Sequence, residues 1–188
     1  MTVVPEGDDK ERKQCPACDR IMYDNPKPVG GVVVTDTDGE TGVVRVLLLR
    51  RGIEPRLGFW TIPGGFLENG ESVEAGAARE AREEACCGVD GMALHAVYSV
   101  PHVDQIMLWF RGTLAGAPGG GPRFRAGHET TEARLFDVED IPWDELAFPT
   151  TTLALRDWIA DPSGSAGPVY RTVEERLPAG EVALPERA

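Results

Sequence analysis

Three acidic residues in the segment AREAREEACC, Glu80, Glu83 and Glu84, stand at i, i+3 and i+4. On a helix turning about 100° per residue this spacing gathers them into one stripe. Carboxylates packed so closely repel one another, so something must compensate them: a divalent cation, the neighbouring Arg79 and Arg82, or solvent. Hard cations such as Mg²⁺ take oxygen ligands and sit between a few carboxylates and substrate phosphates. The plainer alternative is a solvated helix face laced with both charges. Pro63-Gly64-Gly65 stands just upstream. Glycines there allow backbone conformations closed to other residues and a close approach of ligand to main chain, although Gly-Gly after a strand is also an ordinary turn.

Secondary elements must hold these groups. SVEAGAAREAREEACC contains no proline, offers Ser72 as N-cap and Glu74 in the first turn, and is rich in Ala, Glu and Arg, so it reads as a helix. Ala78, Ala81 and Ala85 fall on a different side from the glutamates. GGVVVTD and VVRVLLLRR are β-branched or apolar runs joined by DTDGETG, which reads as a hairpin. MALHAVYSV, DQIMLWFRGTL and EARLFDV read as further strands, with GAPGGGP as a flexible loop. From Thr150 to Asp161, Leu153, Leu155, Trp158 and Ile159 recur at near-helical spacing. The expected organisation is an N-terminal extension over 1–28, one domain over 29–161 and a weakly ordered tail over 162–188, where Pro, Gly, Ser and Glu dominate.

Composition narrows the function. With 188 residues, 41% of them apolar, the chain can bury a core without disulfides. A net charge of −12 argues against duplex nucleic acid or an anionic membrane as the main partner, since such binding rests on clustered Lys and Arg. An anionic ligand would need cations as mediators. No apolar run approaches the roughly 18 residues of a membrane span, and MTVVPEGDDKERKQ lacks the basic and apolar regions of a signal peptide, so a cytoplasmic location is expected. The cysteines occur as Cys15-x-x-Cys18 and Cys86-Cys87, too sparse for a disulfide framework. His95, His102 and His128 share no spacing and are expected at the surface or in loops. Trp60, Phe66, Trp109, Phe110 and Trp143 read first as core residues, although a base or flavin ring could stack on one of them, and Phe59 and Phe66, which flank the glycines, are the better candidates for that.

Counted from Gly65, the order is Gly, five residues, Glu71, seven residues, Arg79-Glu80, Ala81, Arg82, Glu83-Glu84, Ala85. This resembles the Nudix hydrolase signature GX5EX7REUXEEXGU. The departures lie at its end: Cys86 stands at the Gly position, Cys87 at the bulky aliphatic, and Gly88 comes two residues late, which suggests a displaced helix end. Over roughly Lys13–Ile159, CPAC, YDNPKPVGGVVV, LLLRRGIEPRLGFWTIPGGFLENGES and HETTEARLFDVEDIPWDELAFPTTTLAL look like the branch of the family that carries an N-terminal zinc ribbon.

The resemblance implies an α/β/α sandwich on a mixed sheet and Mg²⁺- or Mn²⁺-dependent hydrolysis of a nucleoside diphosphate linked to another moiety. It implies Glu80, Glu83, Glu84 and the Gly65 carbonyl as metal ligands, and Arg79, paired with Glu71, as the residue that orients the carboxylates. Arg51, Phe66 and Glu71 are the substrate-side candidates. The general base is Glu83, or else Glu129 or Glu132 in GHETTEARLF, with Glu129 preferred. Cys15 and Cys18 look like one knuckle of a ribbon whose other pair is missing, since residues 1–14 hold no Cys or His; a remnant without zinc is expected, zinc shared across a dimer being the alternative. The chain reads YSVPHVDQ where NADH pyrophosphatases carry SQPWPFPxS, and Pro101 follows Cys87 by 14 residues, near the spacing of ADP-ribose hydrolases. FAD or ADP-ribose is therefore the expected substrate type. The alternatives are NADH, a nucleoside triphosphate, or a Nudix-like binding module without turnover. A homodimer is the expected assembly.

Overall fold

The computed structural model describes residues 1–116 and 121–173. A small antiparallel sheet opens the chain: β1 (Thr2–Val3), β2 (Arg12–Gln14) and β3 (Ile21–Met22). CPAC forms the turn between β2 and β3. The main sheet then takes β4 (Lys27–Thr37), β5 (Val44–Arg51), β6 (Trp60–Thr61), β7 (Gly64–Phe66), β8 (Val89–Val100), β9 (Gln105–Leu114), β10 (Thr130–Asp137) and β11 (Val169–Thr172). Its order is β10-β5-β4-β9-β8-β11, with β6 on β5 and β7 on β4. β4 runs parallel to β9 and β11 parallel to β8, and the remaining pairs are antiparallel, so the sheet is mixed.

Helices α1 (Val73–Ala85) and α2 (Pro149–Ala160) cover opposite faces. Strand alternation sends Val32, Val34, Leu47 and Leu49 toward Ala77, Ala81 and Ala85 of α1. Val33, Val46 and Leu48 pack instead with Ala154, Leu155 and Trp158 of α2. Burial on both faces is why these two segments read as continuous apolar runs. Leu47, Leu48 and Leu49 are all fully buried, each contributing about 1.5–3 kcal/mol. The expected hairpin forms, but β4 and β5 pair only over Thr35–Thr37 and Val44–Val46. Beyond that, β4 bonds to β7 and β5 to β6.

Three expectations need correction. His95 is buried in β8, with Nε2 3.0 Å from the Ala154 carbonyl oxygen; burial lowers its pKa, against the pull of that carbonyl. His102 and His128 are exposed, as expected. The segment after Pro162 contributes β11, fastened by Arg171 and the Tyr98 hydroxyl, both donating to buried Asp157; residues 174–188 of the expected tail lie outside the described residues. The end of α1 is not displaced to Gly88. Cys86 itself takes the left-handed conformation, φ 48° and ψ 33°, and its N–H donates to the Ala81 carbonyl. The centre of GAPGGGP, 117–120, also lies outside the described residues. Among those described, no helix is long and apolar enough to cross a membrane.

Candidate active site

The carboxylates of α1 are met by β7. Pairing of Val29 with Phe66, Gly30 with Gly65 and Gly31 with Gly64 holds this three-residue strand against β4 and alongside the helix. The Gly64 N–H donates to Glu84 Oε2 at 2.9 Å. A Cβ at Gly65 would lie 2.6 Å from Glu80 Oε1, so the Glu80 carboxylate rests on the Gly65 backbone. Neither glycine adopts a positive φ. Their value is therefore space, for the carboxylates and for close passage of the chain, and the conformational freedom expected from the sequence is not used.

Arg79 organises the outer part of the cluster. Its Nε and Nη2 grip Glu71 at 3.1 and 2.8 Å, a two-pronged pair. Nη1 donates to Glu80 Oε1 at 2.8 Å and Glu83 Oε2 at 3.1 Å, and Nη2 reaches the Phe66 carbonyl at 3.0 Å. The Glu68 N–H adds a further bond to Glu71. Ser72 caps the helix as expected, accepting from the Ala75 N–H.

The glutamates predicted on one stripe occupy different environments. The Glu83 side chain is 61% exposed, that of Glu80 12%, and Glu84 is buried. Burial pushes Glu84 up to about 7, helped by Glu80 and Glu129 and opposed by the Gly64 N–H and by Arg51. Glu80 is also raised, chiefly by burial, with Arg79 opposing. Glu71 goes the other way, to about 2, through its bonds from Arg79 and the Glu68 N–H. Arg79 is held still more firmly protonated by Glu71. Two carboxylates are thus withdrawn from water where Glu80 and Glu84 meet the Gly64-Gly65 backbone, and of the two Glu80 is bonded to Arg79.

Glu129 lies within electrostatic reach of both Glu80 and Glu84, whereas Glu132 pairs with Arg50 at 3.9 Å. Arg51 acts on Glu84 from the end of β5, its guanidinium over the Phe148 ring and its Nε donating to the Pro55 carbonyl. Phe66 is 51% exposed at the end of β7, with Lys27 over its ring; Phe59 carries Arg56 over its own. Trp60, Trp109 and Phe110 are buried, and Trp143 packs against the core.

The segment preceding β10 meets the C-terminus of α1 in a way the sequence did not announce. Arg125 N–H donates to the Ala85 carbonyl, and Gly127 N–H to that of Glu84, both at 2.9 Å. The Thr130 hydroxyl donates to the same Glu84 carbonyl at 2.8 Å and accepts from the Gly127 N–H at 2.7 Å. These bonds satisfy helix-end carbonyls that lack partners within the helix. GHET has no local pattern that could reveal them.

The donor set suits a hard cation: two largely buried carboxylates, both raised in pKa chiefly by burial, beside a glycine where a Cβ would fill the space. Among the described residues no three His, Cys, Asp or Glu side chains are drawn together into a cage, consistent with Glu80 and Glu83 turning toward Arg79. Cys15 and Cys18 sit in the β2–β3 turn, where the Ala17 and Cys18 amides and the Cys18 side chain lower the Cys15 pKa. Cys87 is a core thiol, pushed up to about 11 by burial and directed at the Ala81 carbonyl.

The family model for the NUDIX domain matches residues 25–158. An ADP-ribose pyrophosphatase of Methanocaldococcus jannaschii is 34% identical over 110 residues, 55% of this chain and 60% of that protein. An NAD-capped RNA hydrolase, NudC, of Deinococcus radiodurans is 28% identical over 159 residues, 85% of this chain and 54% of that one. The chain thus spans a little over half the length of these curated relatives. A crystal structure of a NUDIX hydrolase from Nitrosomonas europaea superposes with TM-score 0.77 at 36% identity, covering 93% of this chain and 94% of its own.

Proposed function

The chain belongs to the Nudix hydrolase family, and from that premise we propose that it is a divalent-cation-dependent pyrophosphohydrolase acting on a nucleoside diphosphate joined to a second moiety, of the ADP-ribose or FAD type. The observation that carries this reading is the convergence of two largely buried carboxylates, Glu80 and Glu84, on the Gly64-Gly65 backbone. Glu80, Glu84 and the Gly65 carbonyl, joined by Glu83, would hold Mg²⁺ or Mn²⁺. Such an ion supplies Lewis acidity toward phosphate oxygens and lowers the pKa of bound water.

The remaining work falls to the chain itself. Arg79, anchored by Glu71, sets the direction of Glu80 and Glu83. Glu129 is the group we assign to accept the proton of the attacking water, in preference to Glu132, which faces Arg50. Arg51 supplies positive charge for a substrate phosphate in an otherwise acidic protein. Phe66, half exposed beside the site, offers an aromatic face for a base or flavin ring. The ADP-ribose type is supported by the Methanocaldococcus relative and by YSVPHVDQ standing where the NADH-cleaving array would be.

The deciding experiment is hydrolysis of ADP-ribose, FAD, NADH, an NAD-capped RNA and a damaged nucleoside triphosphate with Mg²⁺ or Mn²⁺, wild type beside Glu84→Gln. The variant keeps an oxygen for the Gly64 N–H and loses the charge. AMP with ribose 5-phosphate or FMN, formed by the wild type and lost in the variant, is the expected result. No turnover across the panel with either ion would refute it.

A further inference from the structure

Glu129 is exposed and, among the described residues, no side-chain hydrogen bond holds it near Glu80 and Glu84, so its position comes from its backbone. That backbone is held from two sides, the pairing of Thr130 with Arg51 adding to the first. On one side the Gly52 N–H, next to Arg51, donates to the Glu129 carbonyl at 2.8 Å. On the other, Thr130 is tied through its hydroxyl to the main chain of Glu84 itself, at 2.8 Å, while the same hydroxyl accepts from Gly127 at 2.7 Å. Gly127 must be a glycine for this approach: a Cβ there would lie 1.9 Å from the Glu83 carbonyl oxygen and 2.8 Å from that of Glu84.

We infer that Thr130 is a positioning residue: with Gly127 it clasps the Glu129 segment to the backbone of Glu83-Glu84, holding Glu129 in register with the carboxylate cluster. The physical reason is directional. The hydroxyl has one proton, given to the Glu84 carbonyl, and a lone pair, used by Gly127, so it bridges helix and loop with both capacities filled. Its partner stands 46 residues away in sequence, so the clasp makes one unit of two separate segments. Removing the hydroxyl leaves the Glu84 carbonyl with the Gly127 N–H alone and loosens the helix-side hold on residue 129, which the Gly52 bond and the pairing of Thr130 with Arg51 then anchor from the β5 side only. Nothing in the clasp touches the metal-facing oxygens of Glu80 or Glu84. Its loss therefore should act on turnover through Glu129 while leaving cation binding nearly intact.

The kinetic part of this inference rests on the pyrophosphohydrolase reading; the exchange measurement below does not. Thr130→Val keeps shape and removes the hydroxyl, Thr130→Ser restores it, and each is made in wild-type and Glu129→Gln backgrounds. Thr130→Val is expected to lower kcat about 10–100-fold, as loss of a supporting hydrogen bond does, with KM and calorimetric Mn²⁺ affinity within about threefold of wild type, and Thr130→Ser to recover most of it. In the Glu129→Gln background the same change should cost less than about twofold, because two residues acting as one unit are not additive. Amide hydrogen exchange at Gly127 and Gly52 should accelerate in Thr130→Val. An equal loss in both backgrounds would show Thr130 acting independently of Glu129 and overturn the inference. Unchanged exchange at Gly52 and Gly127 would overturn it too, even in a protein that hydrolyses nothing on the panel, where the failure of turnover would count against the proposed activity alone.

Discussion

Gly65→Ala separates the role of the glycine strand in the site from its role in the fold. An alanine Cβ would stand 2.6 Å from Glu80 Oε1 and 2.7 Å from Cδ and Oε2, where ordinary contact begins at 3.4 Å. The groups must therefore part by about 0.8 Å, the difference of those two distances. The backbone has little reason to yield, since Gly65 is paired with Gly30 and has no positive φ that alanine would resist. The Glu80 carboxylate is the movable end, although Arg79 holds it at 2.8 Å. Displacement of a reacting constellation by about 1 Å costs on the order of 100-fold in rate, so kcat should fall by about that factor. Mn²⁺ affinity measured by calorimetry should weaken about tenfold. The thermal midpoint should move by no more than about 4 °C, equivalent to about 1 kcal/mol for a chain of this size. Activity within about threefold of wild type would refute the argument that Glu80 needs the space beside Gly65, given the sensitivity of such sites to position. Loss of the cooperative melt would refute it differently, by making the glycine structural.

Cys86→Gly should stabilise the protein by about 0.5–1 kcal/mol in denaturant titration, because a non-glycine residue at φ 48° carries strain that glycine lacks, partly offset by glycine's greater freedom when unfolded; a destabilised variant would contradict the assigned conformation. Arg79→Lys retains the charge but cannot span Glu71, Glu80, Glu83 and the Phe66 carbonyl, so kcat should drop about 10–100-fold, and an unimpaired lysine variant would remove Arg79 from its orienting role. With Glu84 raised to about 7, Mn²⁺ must displace a proton at lower pH, and affinity should fall up to about tenfold per unit below pH 7 while levelling above it. Calorimetry at pH 5.5, 6.5 and 8 checks the slope, which Glu84→Gln should flatten. Asp157→Ala leaves the buried Tyr98 hydroxyl and Arg171 without their shared acceptor, at a cost of about 2–4 kcal/mol, and should expose the bond after Arg171 to trypsin; unaltered melting and proteolysis would show that β11 is held by other means.

What the sequence determined by itself was everything that depends on neighbours along the chain. The Ser72 cap, the inward side of Ala81 and Ala85, completed by Ala77 where Ala78 was expected, and the glutamate spacing are local, because helical geometry converts position in sequence directly into position in space. The box from Gly65 to Glu84, with Arg79 and Glu71, was legible for that reason, as were the apolar runs of β4 and β5. Tertiary structure decided the environment of each group. Glu84 is buried and Glu83 exposed because β7, held by pairing to β4, lies along one flank of the helix and leaves the other to solvent. His95 entered the core because α2 packs across β8 and offers a carbonyl to its ring. Val169–Thr172 became a strand because β8 presented an unpaired edge, despite a composition typical of tails. Cys86 adopts a glycine conformation because the helix must end where the Ala81 carbonyl receives its N–H. Thr130 and Gly127 could not be found from their own segment, since the group they both meet is a single helix-end carbonyl, that of Glu84, distant in sequence. Sequence spacing chooses which groups share a helix face; burial, charge and the partners of exposed backbone ends are properties of the surrounding packing, and only the folded chain supplies them.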